Sequence, residues 1–486
     1  LKAAFFGSIA FQFIEAERRN QAPRPENSNN MAATPSLPTK LIGEFIGTFL
    51  LIFTVGCNVL SANAVWGGVS IACVLMVSIY ALGGISGANF NPAVTLSLAL
   101  SEAAGGAGMD WKTAGMYMGV QTLAGMSAAA SYSLLFWDTF NLSPAAGRGF
   151  LSAGACEFFY TFMLCFVVLN VAVAKGTAGN SFYGLAIGFV IIAGAYGAGS
   201  ISGGCFNPAV AIGIDVASAG LGFGWCIYYV MCEFLGAAAA TGLFMAVRPE
   251  DFGKEASPHS ALVSEFLGTF MLILTVGLNV LGSSKAGAFS IAASLMSMIY
   301  ALGDVSGAHF NPAVTVAILV SGRCEADLPP ARAGAYIGAQ LAAGLVAGAC
   351  YTGIYGGSFA IAPGASHTLL QASIAELVFT FVLCFVVLAV AVSSTTKDKT
   401  MFGLAIGSCV TVGGNAIGAI SGGSLNPAVT FGLACAGVSA GQTILAPIIY
   451  CLVELAAGAG AAVTFKATHS VDLEDSGVKD PLKESV

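Results

Sequence analysis

At 486 residues, 56% of them hydrophobic and only 9% charged, with a mean hydropathy of +0.83, the chain is excluded from the ordinary soluble globules. A net charge of -7 without any basic stripe argues against nucleic-acid binding. The 62 glycines suit closely packed membrane helices, and most of the 13 cysteines lie inside apolar runs (Cys73, Cys165, Cys384, Cys451), where they read as small buried hydrophobes rather than disulfides or zinc ligands.

Residues 1–39 read as an N-terminal extension. Their apolar part precedes Arg18 and Arg19, the reverse of signal-peptide order, and Met31 is the expected natural start. Apolar runs then predict spans at 41–60, 65–84, 113–136, 151–174, 181–199 and 225–247, each near the ~20 residues a helix needs to cross a bilayer. A linker at 248–259 carries Pro249, Pro258 and mixed charges. Six more spans follow at 261–281, 286–303, 333–354, 371–393, 400–418 and 443–464, and residues 467–486 read as a solvated tail with Ser470, Ser476 and Ser485 as candidate phosphosites. Of the 18 Lys and Arg, only Arg148 and Lys285 fall on the face opposite the termini, which makes the terminal face cytoplasmic by the positive-inside rule.

Between these spans, Asn-Pro-Ala-Val occurs at Asn91, Asn207, Asn311 and Asn426, each time after a Ser-Gly turn. Asn as the cap and Pro at the first helical position start a helix efficiently. Short helices are expected over 91–101, 207–217, 311–321 and 426–436, too short to span and tolerable only inside protein. Asn91 and Asn311 are 220 residues apart, and Asn207 and Asn426 are 219 apart, so a six-span unit is duplicated: residues 40–247, then 260–466. A finer repeat divides each unit. Glu44-Phe-Ile-Gly-Thr-Phe and Glu265-Phe-Leu-Gly-Thr-Phe open the first spans, and the runs from Glu157 and Glu376 open the fourth. Three spans per half-unit invert the second half, so the two half-helices of a unit can meet head to head.

Four side-chain sets are candidates for function. The four glutamates fit a structural bracket for the irregular backbone better than an ordered proton relay. The pairs Asn91 with Asn207 and Asn311 with Asn426 would offer amide donors where two helix N-termini meet. Those ends sum to about one positive charge, which at ~5 Å and an effective dielectric near 20 repels a cation by roughly 3 kcal/mol. Cys205 is expected to reach the lumen and make the first pore the more mercurial-sensitive, since Ser424 replaces it in the second. Asp304 and His309, where the first unit has Gly84 and Asn89, make the cytoplasmic mouths differ, with His309 read as packing rather than as a pH gate.

These residues resemble the aquaporin and glycerol-facilitator family of major intrinsic proteins over about residues 40–466. The motifs are Ser86-Gly-Ala-Asn-Phe-Asn-Pro-Ala-Val, Ser306-Gly-Ala-His-Phe-Asn-Pro-Ala-Val, Ser202-Gly-Gly-Cys-Phe-Asn-Pro-Ala and Ser421-Gly-Gly-Ser-Leu-Asn-Pro-Ala, with Gln121 and Gln340 in the third span of each unit. The resemblance implies an all-α membrane protein of two right-handed bundles, each with six transmembrane helices and two half-helices. It also implies passive passage of water and small neutral solutes, with no enzyme activity, no cofactor and no metal. The pore motifs would be Asn91, Pro92, Ala93; Asn207, Pro208, Ala209; Asn311, Pro312, Ala313; and Asn426, Pro427, Ala428. Because the family assembles as tetramers, a homodimer of chains in the lipid bilayer would form a four-pore assembly.

One departure stands out. The family usually carries Arg after the second Asn-Pro-Ala, where this chain has Val210 and Val429. The other constriction positions fall on Ile71, Ala195 and Gly204 in the first unit and Ile291, Gly414 and Gly423 in the second. Such filters are wide and donate few hydrogen bonds, favouring glycerol, urea or ammonia beside water and weakening the barrier to cations. The alternatives are an inverted-repeat secondary transporter, which would need midplane acids beyond the four glutamates, and a non-conducting scaffold.

Overall fold

The computed structural model describes residues 35–221, 224–322 and 328–469, so the extension before residue 35 and the serines of the tail lie outside the described residues. From Pro38 onward the chain forms one unit by its contacts. The first repeat runs α1 (Leu37–Leu60), α2 (Gly67–Ser86), α3 (Pro92–Ala103), α4 (Trp111–Phe136), α5 (Phe150–Val168), α6 (Tyr183–Ser202), α7 (Pro208–Ala217) and α8 (Trp225–Val247). The second runs α9 (Ser260–Leu281), α10 (Gly287–Ser306), α11 (Pro312–Ser321), α12 (Pro330–Tyr355), α13 (Leu369–Val387), α14 (Phe402–Ser421), α15 (Pro427–Ala436) and α16 (Leu445–Thr468). A single π turn lengthens α5 over Leu169–Val173 and α13 over Leu388–Val392. The chain is a multi-pass membrane protein.

Eleven of these helices are long and apolar enough to cross a membrane. The twelfth expected span, α4, has 26 residues but is less apolar. Its polar groups are put to use: Gln121 is turned inward and fully buried, and Ser127 and Ser131 donate back to their own helix at 2.8 Å. Asp110 caps its start, accepting from the Lys112 and Thr113 N–H groups at 3.1 and 3.0 Å and from Thr113 Oγ1 at 2.6 Å. The Thr113 bonds, side chain then backbone, hold that exposed carboxyl below its ordinary range.

Small residues let the half-helices sit deep in each bundle. A methyl on Gly213 of α7 would stand 2.8 Å from the Gly125 carbonyl oxygen of α4, and one on Gly432 of α15 would stand 2.6 Å from that of Gly344 in α12. Gly47 of α1 faces the Phe90 ring so closely that an added methyl would overlap it.

The repeats join through α5 and α6 of the first and α9 and α10 of the second. Ser290 and Ser297 of α10 donate to the Ala193 and Ala186 carbonyls of α6, each at 2.9 Å. Phe182 stacks on Tyr300 at 4.4 Å, and Tyr160 donates to Thr275 Oγ1 at 3.1 Å. At one end of the seam Arg148 donates to the Tyr355 carbonyl at 2.6 Å and lies 3.7 Å over its ring. At the other, Arg248 bridges Asp304 at 2.6 Å and donates to Asn170 Oδ1 at 2.6 Å and the Ala301 carbonyl at 3.0 Å. Asp304 is thus part of the seam between repeats.

Candidate functional site

Each Asn-Pro-Ala-Val copy begins a half-helix in the same way. The asparagine is extended (φ −157 to −160°), its Oδ1 accepts the N–H two residues on at 2.8–2.9 Å, and proline follows at the first helical position. The residue before it is left-handed although it has a Cβ: Phe90 at φ 51°, Phe206 at 53°, Phe310 at 49° and Leu425 at 53°. This unfavourable conformation turns two successive N–H groups to one side, where a carboxylate can bind both.

That carboxylate is the repeated glutamate. Glu44 accepts from the Asn89 and Phe90 N–H groups at 3.0 and 2.8 Å, from Ser86 Oγ at 2.6 Å and from Gln121 Nε2 at 2.8 Å. Glu265 makes the same four bonds with His309, Phe310, Ser306 and Gln340. Glu157 holds the Cys205 and Phe206 N–H groups at 3.1 and 2.7 Å, and Glu376 those of Ser424 and Leu425 at 3.1 and 2.9 Å.

The sequence reading counted four such acids and overlooked two. Glu233 on α8 and Glu454 on α16 are fully buried and accept the N–H groups of Asn207 and Asn426 at 2.9 and 3.2 Å. They stand on the third full-length span of their half-repeats, as Gln121 and Gln340 do on α4 and α12. The signal was present: each follows a buried tyrosine (Tyr229, Tyr450) by four residues, one turn of the same helix face. Both bind loop backbone, so they extend the bracket.

The half-helices meet in pairs, with each asparagine tied across the junction. Asn91 Nδ2 donates to the Phe206 carbonyl at 2.8 Å and Asn207 Nδ2 to that of Phe90 at 2.9 Å. Asn311 Nδ2 donates to the Leu425 carbonyl at 2.8 Å and Asn426 Nδ2 to that of Phe310 at 2.9 Å. Oδ1 caps the helix and one amide hydrogen goes to the partner loop, so the second amide hydrogen of each is not used by these bonds.

A cavity of about 410 Å³ passes Asn91 and Asn207 in the first repeat, and one of about 520 Å³ passes Asn311 and Asn426 in the second. Ile71, Ala195, Gly204 and Val210 all line the first, and Ile291, Gly414, Gly423 and Val429 all line the second. Cys205 borders the first cavity and Ser424 the second, where the Ser424 hydroxyl donates to Glu454 at 2.6 Å. His309 borders the second cavity, is buried, lies 3.1 Å from Thr315 Oγ1 and packs edge-on against Tyr336; Asn89 makes the equivalent bond to Thr95 in the first repeat.

Sequence comparison supplies the family. The model described as major intrinsic protein matches residues 31–241, 171–277 and 253–463. The chain belongs to the major intrinsic protein family. It is similar to a protein named probable aquaporin NIP4-2 from Arabidopsis thaliana, 33% identical over 227 residues covering 44% of this chain and 76% of that one. It is also similar to one named aquaporin NIP1-3 from Oryza sativa subsp. japonica, 36% identical over 249 residues covering 49% and 83%. Among solved structures, that of the aquaglyceroporin from Plasmodium falciparum matches with a TM-score of 0.34 and 21% identity, over 46% of this chain and 98% of that one. Family membership stands on the sequence matches.

Proposed function

We propose that the chain is a passive channel for water and small uncharged solutes, not an enzyme, with one pore per repeat. The observation that carries this reading is the reciprocal tie between paired asparagines beside each cavity. It fixes two amide donors and two positive helix ends at one point of the path, which suits a neutral solute with an acceptor oxygen and opposes a cation. Against coupled transport stands the use already made of the buried glutamates, each of which holds at least one loop N–H group.

The eight filter positions lead further. Isoleucine, alanine or glycine, glycine and valine offer no side-chain donor and little bulk, so glycerol, urea and ammonia pass beside water. Without arginine, the cation barrier falls by a few kcal/mol on the Coulomb scale of ~3 kcal/mol for unit charges near 5 Å at an effective dielectric of 20, and protons leak. Stopped-flow swelling of proteoliposomes under water, glycerol and urea gradients, with an internal pH dye, tests this. Flux of all three above bare liposomes, with proton entry, is expected; a water-only flux with a tight proton seal overturns the wide filter.

The distribution of basic residues supports an orientation with both termini cytoplasmic. Two chains assemble as a four-pore dimer. Support comes from uneven burial: the seam spans are 78, 61, 83 and 67% buried (α5 with its π turn, α6, α9, α10), against 39% for α1, 22% for α2, 39% for α13 with its π turn and 33% for α14. The seam joins α5 and α6 of one repeat to α9 and α10 of the next, the counterparts of α1 and α2. The unpaired faces α1/α2 and α13/α14 are therefore the same two surfaces, and a twofold axis closes four repeats into a ring.

A further inference from the structure

The repeats are near copies, so the side chains that differ beside the cavities mark where the pores differ. In the first repeat Tyr196 closes the gap between α6 and the start of α2. A methyl on Gly68 would stand 2.9 Å from its ring, and its hydroxyl donates to the Val65 carbonyl at 2.5 Å. The second repeat has Asn415 in that place, and the sizes beside it are exchanged, Gly414 for Ala195 and Ala288 for Gly68. Asn415 is exposed and donates to its own helix, to the Thr411 carbonyl at 2.8 Å. The gap is open, and the cavity there reaches Asn279, Ser284 and Lys285, whereas the corresponding Asn58 does not border the first cavity.

Polar groups in that opening are unsatisfied. In the first repeat Asn58 Nδ2 donates to the Thr54 carbonyl and Ser70 Oγ, both at 2.9 Å, and its Oδ1 accepts from Asn63 Nδ2 at 3.0 Å. In the second, Asn279 Nδ2 donates to the Thr275 carbonyl and Ser290 Oγ, both at 2.9 Å, which fixes where its Oδ1 points. Ser284 stands in the place of Asn63 and is too short to reach it. Asn279 Oδ1 and Ser284 Oγ are left buried with no partner among the described residues, on a residue only 2% exposed in the case of Asn279. Lys285, an exposed cation, borders the same opening.

We infer that this opening is a polyol subsite at the far mouth of the second pore, absent from the first. The inference rests on the channel reading above and names the solute class for one of its two pores. A vicinal diol is a small neutral solute that can donate one hydroxyl to Asn279 Oδ1 and accept from Ser284 or Lys285 on the next. A cation is repelled by Lys285.

Glycerol, urea and water permeabilities of proteoliposomes bearing wild type, Asn415→Tyr or Ser284→Asn test it. Either variant rebuilds what the first repeat has, the plug or the amide pair. One neutral hydrogen bond is worth about fivefold on the second pore, diluted to about threefold in the glycerol-to-water ratio by the unaltered first pore. That fall, with water flux retained and urea less affected, is expected. An unchanged ratio in a variant that conducts water overturns the subsite, and an equal fall for urea overturns its assignment to polyols. Where Asn415→Tyr does not insert, Ser284→Asn decides, since its side chain already fits the equivalent place. Wild type that passes neither water nor glycerol would sink the channel reading instead.

Discussion

At the scale of single residues, the proposed wide filter turns on Val210 and Val429. Both are almost wholly buried yet border their cavities, so arginine there would enter the lumen. Val210→Arg and Val429→Arg are each expected to reduce glycerol flux and proton leak while sparing water, the loss of glycerol being larger for Val429→Arg. Proteoliposome swelling with a pH dye reads both effects. Cys205 gives a second handle: a mercurial is expected to lower water flux only in part, and Cys205→Ser to abolish that sensitivity. Retained block in Cys205→Ser would assign it to another thiol, such as the exposed Cys73 or Cys435.

The glutamates test bracket against relay. Glu44→Gln keeps the acceptor oxygen for one loop N–H and should conduct water. Glu44→Ala strands the buried N–H groups of Asn89 and Phe90 and should cost about 3 kcal/mol or more, seen as loss of folded protein in detergent. Near-complete loss of water flux in a well-folded Glu44→Gln would favour the relay.

At the scale of elements, the half-helix starts were legible because asparagine and proline act locally: the cap and the fixed proline φ need no tertiary partner. What the sequence did not disclose is how each start is held. The left-handed Phe90, Phe206, Phe310 and Leu425 are bulky residues in a region that favours glycine, and only the carboxylate behind them explains it. Glu233 and Glu454 were missed for the same reason. Their partner N–H groups lie 26 and 28 residues away, across a turn no local pattern describes. The reduced apolarity of α4 likewise reflects a buried glutamine whose partner is on another helix. Close packing at Gly47 gives a direct check. Gly47→Val would push into the Phe90 ring and displace the loop, costing about 1–3 kcal/mol by overpacking. A lower melting temperature in detergent and lost water flux are expected; unchanged stability would contradict the packing described.

At the scale of the molecule, duplication was readable from the spacing of the motifs, and the family matches repeat along the chain in the same way. The seam was not readable. Arg148, read from the sequence as a topology signal, clamps the Tyr355 carbonyl of the other repeat. Asp304 looked like a feature of a pore mouth and serves the Arg248 bridge. The uneven burial of the outer helices predicts a dimer of chains in mild detergent by native mass analysis, and a minimum stable species of four chains would contradict that ring. The central claim is that each repeat carries its own passive pore. It is tested most directly by glycerol swelling of proteoliposomes bearing wild type, Val210→Arg, Val429→Arg and the double variant. The account predicts a partial loss in each single variant and loss of the remainder in the double, with water flux persisting in all four; glycerol flux abolished by either single change, or unaltered by both together, would contradict it.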